Sequence, residues 1–433
     1  MKQTLIVALL LISIKVSAQS YTSYFTGNSV DMTTANPQGG VCMMGGASEH
    51  DEAMKWFLQR ADGGDILVLR ASGSDGYNNY LYTSLGISVN SVETIVFNNA
   101  SASNENYIHE KIMKAEAIWF AGGDQWNYVS YWRNTSIDSL INDGIQNRNI
   151  AIGGTSAGMA ILSKYYFSAS NGTVTSSVAL NDPYDYRVTV DSTDFLKVNF
   201  MHDVVTDTHY DDRDRKGRHA VFLARILTDY GIAAKGIACN EYTSVCIDET
   251  GLARVYGDYP NYPETAFFLQ TNCELLGYNP ENCSPSTPLD WNLDGAAIRV
   301  YKVNGTNNGS NTFDLSDWKT GNGGSWENWY VDNGTLIETT GTQINCDLLS
   351  INDNDWKTAL KVYPNPFEDI LFIESEIDIL ELELRDMNGK LLLVKESLHE
   401  TTLSIDKTLL QKGIYVLKIR TDKGLFYSKV LKN

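Results

Sequence analysis

No stretch of apolar residues in this 433-residue chain approaches the roughly 20 needed to cross a bilayer as a helix; the longest, from Leu5 to Ile14, is half that. Basic residues are scarce beside acidic ones, 34 Lys+Arg against 53 Asp+Glu, for a formal charge of −19. A surface of that sign repels nucleic-acid phosphates and anionic membranes, so a general nucleic-acid binder is excluded. Cysteine is sparse too. The six present (Cys42, Cys239, Cys246, Cys273, Cys283 and Cys346) are too few for a disulfide scaffold. There is no Cys-x-x-Cys pair and the six histidines are scattered, so no metal site is expected. What is there is an ordinary globular composition, 43% hydrophobic and 20% charged, at a length that suits two to three domains.

The first residues carry an address. Met1-Lys2-Gln3, the apolar run and Val16-Ser17-Ala18 before Gln19 read as a secretory signal peptide over residues 1–18. Export permits disulfides. Cys273 and Cys283 flank the turn-rich Tyr278-Asn279-Pro280-Glu281-Asn282 and form the expected pair, while Cys239 and Cys246 are spaced to face each other across a hairpin.

From about Gly40 to Leu162, short apolar strands alternate with amphipathic segments. The strands expected are Val41–Met44, Ile66–Arg70, Thr94–Phe97, Ala117–Ala121 and Ile150–Gly153, with helices over Glu52–Ala61 and Ile137–Gln146. This alternation predicts an α/β fold with a mostly parallel sheet flanked by helices. Ligands then sit at the carboxyl ends of the strands, where Gly45-Gly46, Gly122-Gly123 and Gly153-Gly154 fall. After about Pro285 the chain turns rich in Asn, Gly, Thr and Trp, which reads as a β-rich extension over about 286–349. Residues 350–359 form a polar linker.

Beyond it, residues 360–433 show short alternating runs separated by turn signals, the pattern of a small β-sandwich. Between 357 and 433, 12 basic residues balance 12 acidic ones, so the negative excess lies entirely upstream. Val362-Tyr363-Pro364-Asn365-Pro366, Arg385-Asp386-Met387-Asn388-Gly389-Lys390 and Lys412-Gly413-Ile414-Tyr415-Val416-Leu417 closely resemble the C-terminal type IX secretion sorting domain of Bacteroidetes. That resemblance implies passage through the periplasm and across the outer membrane by the type IX machinery. The protein would end up secreted or held at the cell surface.

Chemistry concentrates in Ile152-Gly153-Gly154-Thr155-Ser156-Ala157-Gly158-Met159. Here Gly-x-Ser-x-Gly lies between a predicted strand and a predicted helix, as a nucleophile elbow requires. The amides of the helix that follows would favour developing negative charge. A serine hydroxyl needs a base, and a base needs an orienting partner. Of His50, His109, His202, His209, His219 and His399, His209 stands out: it follows a strand-like run and precedes the charge cluster Asp211-Asp212-Arg213-Asp214-Arg215-Lys216-Gly217-Arg218.

Five ordered motifs resemble the serine peptidase family that contains cyanophycinase and the aspartyl dipeptidase peptidase E. They are Gly45-Gly46-Ala47, Phe120-Ala121-Gly122-Gly123-Asp124-Gln125, Gly154-Thr155-Ser156-Ala157-Gly158, Asp207-Thr208-His209-Tyr210 with Arg213, Arg215 and Arg218, and Gly236-Ile237-Ala238-Cys239-Asn240-Glu241-Tyr242-Thr243. The resemblance spans about Gly40 to Cys273. It implies a class I glutamine amidotransferase-like sheet, with Ser156 as nucleophile, His209 as base and Glu241 as the orienting acid. It further implies an oxyanion hole at Gly123 and Ala157, and a substrate site lined by Gln125, Asp207, Arg213, Arg215 and Arg218. No cofactor is implied. The chain order Ser–His–Glu differs from that of the α/β-hydrolases, in which the acid precedes the histidine.

Retention of the three arginine positions points, through the same resemblance, to β-aspartyl peptide bonds and a cyanophycin-like polymer. Two departures stand against it: Asp211, Asp212 and Asp214 crowd the arginines, and Cys239-Asn240 replaces the family's Ile-Asp before the acid. The alternatives are a peptidase of the same mechanism on other Asp-containing peptides, or a non-catalytic surface binding protein on the same scaffold. A homodimer stays open.

Overall fold

The computed structural model describes residues 19–192, 195–275, 278–345, 360–386, 390–406, 410–421 and 424–433. The signal segment 1–18 and the linker 350–359 lie outside them. The chain divides into two compact units between Ile344 and Asn345.

The first unit begins with β1 (Tyr21–Gly27), β2 (Val41–Met44), α1 (Asp51–Gln59), β3 (Asp65–Arg70), α2 (Gly76–Asn79), β4 (Ser91–Phe97), α3 (Asn106–Lys114), β5 (Ala117–Phe120), α4 (Gln125–Trp132), α5 (Ser136–Asn147), β6 (Ala151–Thr155) and α6 (Ala157–Ala160). It continues with β7 (Tyr166–Phe167), α7 (Ser176–Asn181), β8 (Val190–Asp191), β9 (Val204–Asp207), α8 (Lys216–Tyr230), β10 (Lys235–Cys239), β11 (Ser244–Ile247), β12 (Leu252–Tyr256) and β13 (Thr265–Thr271). Its last strands are β14 (Ile298–Asn304), β15 (Asn311–Asp314), β16 (Gly321–Asn322), β17 (Gly324–Asp332) and β18 (Thr335–Thr340).

One ten-stranded sheet runs β1-β4-β3-β5-β6-β2-β11-β12-β15-β16. Its centre, β4-β3-β5-β6-β2, is parallel; the flanking strands join antiparallel. The period of two along each strand sorts the side chains by face. Ile66 and Val68 of β3 pack with Ala117 and Trp119 of β5 against Met54, Phe57 and Leu58 of α1. Leu67, Leu69, Ile118 and Phe120 pack on the other face with Ile108 and Ile112 of α3 and Ile137 and Ile141 of α5. Thr135 starts α5 by accepting from the Ile137 N–H at 3.1 Å, satisfying an orphan donor. The fold is therefore α/β, helices covering both faces of a sheet whose parallel strands end along one edge.

A second, six-stranded sheet runs β18-β17-β14-β13-β10-β9. Only β9 and β10 are parallel. Helix α8 packs on it through Ala220, Val221, Leu223 and Ala224, all buried, and stops at Gly231, whose φ of 68° is the left-handed ending that glycine allows. The chain beyond Pro285 adds to both sheets: β14, β17 and β18 extend the second, and β15 and β16 the first.

Neither expected cysteine pair forms. Cys273 is disulfide-bonded, while Cys239, Cys246 and Cys283 are free. Cys239 and Cys246 fall on strands of different sheets. Cys283 instead packs against the core under α8, with its thiol against Thr228. Cys246 lies opposite Cys42 across the β2–β11 pair, with sulfur atoms 3.5 Å apart.

The second unit contains β19 (Leu360–Tyr363), β20 (Ile370–Asp386), β21 (Leu391–Asp406), β22 (Gly413–Thr421) and β23 (Gly424–Lys432) in one sheet. The sequence pattern suggests separate strands over Leu371–Glu374 and Leu380–Arg385, but both belong to β20. Register shifts between Glu374 and Ile379 let its two halves take different neighbours, β19 on one side and β22 on the other. A bulged strand bends, so one curled sheet encloses Leu371, Ile373, Leu382, Leu384, Leu417 and Ile419.

Candidate active site

Ser156 occupies the turn between β6 and α6, at the carboxyl edge of the parallel strands. Its φ of 52° and ψ of −113° are strained for a residue with a side chain. Two glycines make the turn sterically feasible. A Cβ on Gly154 would lie 2.5 Å from the Gly158 carbonyl carbon, and one on Gly158 only 2.1 Å from the Phe120 oxygen. The Ser156 N–H is held by the Met44 carbonyl at 3.1 Å. Its side chain is thereby lifted off the sheet.

His209 follows β9 in the other sheet. Its N–H donates to the Gly45 carbonyl at 2.8 Å, and its ring packs so closely on the Gly45-Gly46 turn that a Cβ on Gly46 would lie 2.3 Å from the ring. Glu241 follows β10, the parallel neighbour of β9, and its N–H donates to Asp211 Oδ1 at 3.0 Å. The result is a continuous chain of contacts. Ser156 Oγ lies 2.8 Å from His209 Nε2, and His209 Nδ1 is hydrogen-bonded to Glu241 Oε1. With Nδ1–H donated to the carboxylate, Nε2 is left to accept from the serine hydroxyl. The His209 and Glu241 side chains are 16% and 22% exposed, so the relay borders solvent.

The Gly122-Gly123 turn after β5 flanks the serine, since a Cβ on Gly122 would sit 3.7 Å from Ser156 Cβ. Tyr128 supports it from below, donating its hydroxyl to the Ala121 and Gly122 carbonyls at 2.8 and 3.2 Å. Asp124 caps α4 by accepting from the Trp126 N–H at 2.9 Å, and Gln125 donates to the Phe167 carbonyl at 3.3 Å. Helix α6, which opens at Ala157, is a single turn. Individual N–H groups, not a long helix dipole, must act there.

The residues expected to line a substrate site divide. Arg213 is 59% exposed, beside Asp212 at 3.8 Å. Asp207 and Arg218, each 3% exposed, are closed on each other: Arg218 Nε donates to Asp207 Oδ2 at 2.8 Å and Nη2 to Oδ1 at 2.5 Å. Arg218 Nη1 adds the Thr173 hydroxyl and the Val174 carbonyl, both at 3.2 Å. Arg215 donates to the Thr208 carbonyl at 2.9 Å and lies 3.9 Å from Asp207. Burial alone would raise the Asp207 carboxyl, but the guanidiniums of Arg218 and Arg215 outweigh it and hold its pKa below the usual value. Burial pushes Arg215 down to about 10. Asp207, Arg215 and Arg218 are thus buried and engaged with one another beneath the segment that carries His209, while Arg213 stays exposed.

Other participants carry no such role in the sequence reading. Asp211, read there as crowding the arginines, instead fixes the Glu241 turn. The Met44 and Gly45 carbonyls hold Ser156 and His209, and backbone acceptors leave no mark in residue type. His219 also belongs to the buried layer: its Nε2–H donates to the Val205 carbonyl and its Nδ1 accepts from the Tyr210 hydroxyl, at 3.2 Å each. Burial drives its pKa down to about 4, so it stays neutral.

Among solved structures, the chain is similar to a peptidase from an acI-B1 actinobacterium, at 15% identity and a TM-score of 0.39 over 53% of this chain and 94% of that one. It is also similar to a putative peptidase E protein from Listeria monocytogenes EGD-e, at 16% identity and a TM-score of 0.31 over 50% of this chain and 98% of that one. No described helix is long and apolar enough to cross a membrane. Residues 361–433 match the secretion system C-terminal sorting domain, which directs a chain through type IX secretion to the cell surface or the medium. Residues 70–255, which include Ser156, His209 and Glu241, match peptidase family S51. The chain thus carries a peptidase family S51 region over residues 70–255 and a C-terminal secretion sorting domain over residues 361–433, the make-up of a secreted peptidase.

Proposed function

We propose that this protein is a serine-type exopeptidase that hydrolyses β-aspartyl peptide bonds through Ser156, His209 and Glu241. The observation that carries the reading is the unbroken contact from Ser156 Oγ to His209 Nε2, at 2.8 Å, and from His209 Nδ1 to Glu241. Ser156 Oγ attacks the scissile carbonyl as His209 Nε2 takes its proton. The Glu241 carboxylate fixes the imidazole and balances the positive charge that forms on it. The N–H groups of Gly123 and Ala157, on either side of the serine, receive the oxyanion. His209 then protonates the leaving amine, and water enters by the reverse path to release the acyl group.

The choice of an aspartyl substrate rests on the likeness of the five motifs to cyanophycinase and peptidase E. The burial of Arg215 and Arg218 removes the argument that three arginines favour a cyanophycin-like polymer, and so favours short aspartyl peptides as the second reading. The test is hydrolysis of purified cyanophycin and of β-aspartyl and α-aspartyl dipeptides by the exported protein, beside a Ser156→Ala control. Release of β-aspartyl-arginine that is lost in the variant supports the polymer reading. Cleavage of dipeptides alone keeps the mechanism and moves the substrate. An intact fold with no hydrolysis of any of them refutes the catalytic reading.

A further inference from the structure

With Asp207 closing Arg218, the site needs another group to read its substrate. The order of the strands shows where to look. Across the parallel sheet the order is β3-β5-β6-β2, and His209 stands against the Gly45-Gly46 turn at the end of β2. A leaving amine protonated by His209 must lie on that side of Ser156. The acyl portion then extends the opposite way, over the ends of β5 and β3.

The last residue of β3 is Arg70. Leu69 pairs with Phe120 of β5, and Phe120 with Gly154 of β6, so Arg70, Ala121 and Thr155 stand at one level, one residue before Ser156. At about 4.8 Å between neighbouring strands, Arg70 lies roughly 10 Å from Thr155 along the sheet, a gap an arginine side chain largely spans. Its guanidinium is held by its own loop, Nε donating to the Ser72 carbonyl and Nη1 to the Ser74 carbonyl at 2.9 Å. Gly73, with a φ of 89°, lets the loop wrap it: a Cβ there would lie 2.2 Å from Nη2. The same loop lies against the serine's neighbour, since a Cβ on Gly123 would be 3.7 Å from Ser72 Oγ.

These partners are neutral. They orient the guanidinium and leave its charge uncompensated, because no carboxylate oxygen of the described residues lies within 4.0 Å of it. Glu49 is near enough to feel the charge, yet its carboxylate is engaged by the Tyr77 hydroxyl, and burial raises its pKa. In a chain of net charge −19, a partly buried arginine without an ion pair is conspicuous, because such charges are ordinarily paired.

Resting on the reading of Ser156 as nucleophile, we propose that Arg70 determines specificity by receiving the free carboxylate of the substrate's acyl residue. A fork of preorganised donors suits a carboxylate, whereas the amide of the same residue would leave the cation unanswered.

The experiment pairs aspartyl anilides, linked through either carbonyl, with analogues whose remaining carboxylate is amidated. Wild type should favour the free carboxylate in kcat/KM by about 100-fold, and Arg70→Met should bring that preference to within about 3-fold while handling the amidated analogue as wild type does. Arg70→Lys should restore part of the preference. A preference that survives in Arg70→Met, or an equal loss on both substrates, overturns the proposal; the second result would mark Arg70 as a support of its loop. Calorimetry on Ser156→Ala with an aspartyl dipeptide separates this from catalysis. Binding that disappears in Ser156→Ala/Arg70→Met supports the carboxylate site even if no anilide is cleaved. Unchanged binding in that double variant, or no binding to Ser156→Ala, refutes it.

Discussion

The proposed nucleophile and its proposed relay stand on two different sheets, and they are specified in different ways. Ser156 belongs to the ten-stranded sheet, and its geometry is written locally: strand, Gly154, serine, Gly158, helix. His209 and Glu241 belong to the six-stranded sheet and are 32 residues apart, brought together because β9 and β10 are parallel neighbours. Nothing within a few residues of either dictates their contact. It depends on Gly45, on Asp211 and on the buried Asp207–Arg218 pair beneath. The elbow is steric, whereas the relay is electrostatic and long-range, so damage to each should look different.

Chemistry at the elbow gives the largest effect. Ser156→Ala should lower kcat by about 10⁴-fold or more, with the thermal midpoint little moved, because the hydroxyl it removes is hydrogen-bonded to His209. Gly158→Ala should lose comparable activity and also stability, since its Cβ has no room against the Phe120 carbonyl. Activity and melting curves on both variants check this. If Gly158→Ala keeps the wild-type midpoint, the steric account of the elbow is wrong.

The relay comes next. Glu241→Gln leaves a hydrogen-bonding side chain but removes the charge that orients and balances the imidazole, and should cost about 10³- to 10⁴-fold in kcat with KM little changed. A loss of less than about 10-fold would remove Glu241 from the relay.

This division explains what the sequence made legible. Strands such as Val41–Met44 and Ala117–Phe120 are uniformly apolar because both faces are covered, and the elbow is bracketed by glycines whose purpose is steric; both are local signals. Which sheet a later strand joins is not local, so the split of β14, β17 and β18 from β15 and β16 was invisible. Nor could a charge cluster reveal which members turn inward. Arg213 and Arg218 look alike on the page, yet one is exposed and the other sealed. The long strand β20 looks like two in the sequence because its register shifts interrupt the alternation.

The brace beneath the relay predicts a smaller effect of a different kind. Arg218→Met strands the Asp207 carboxylate in the interior, which costs about 3–5 kcal/mol when one partner of a buried pair is removed. Surviving folded enzyme should show a reduced kcat with KM near wild type, because the base is displaced and the substrate is not released. Chemical denaturation and steady-state kinetics test it. A raised KM with unchanged stability would return Arg218 to the substrate site and erase the contrast between it and Arg70.

The smallest effect sharpens the same contrast through pH. His219 is sealed against Tyr210 and Val205, and burial pushes its pKa down from 6.5 to about 4. A depressed folded pKa means the unfolded chain takes up the proton first. Its full contribution to stability is present above about pH 6.5 and is lost as the pH falls from there toward 4, where the folded state also protonates. The charges facing it, Asp207 and Arg218, are already fixed on each other in that range, the Asp207 carboxyl being held below its usual value. His219→Gln keeps a hydrogen-bonding side chain but cannot titrate. It should be less stable than wild type at pH 7 by about 1 kcal/mol, yet lose less of its thermal midpoint between pH 6.5 and 4. Parallel pH profiles for the two proteins would show that His219 is not the group that makes the layer under the relay sensitive to acid, and would move that role to carboxylates outside the brace.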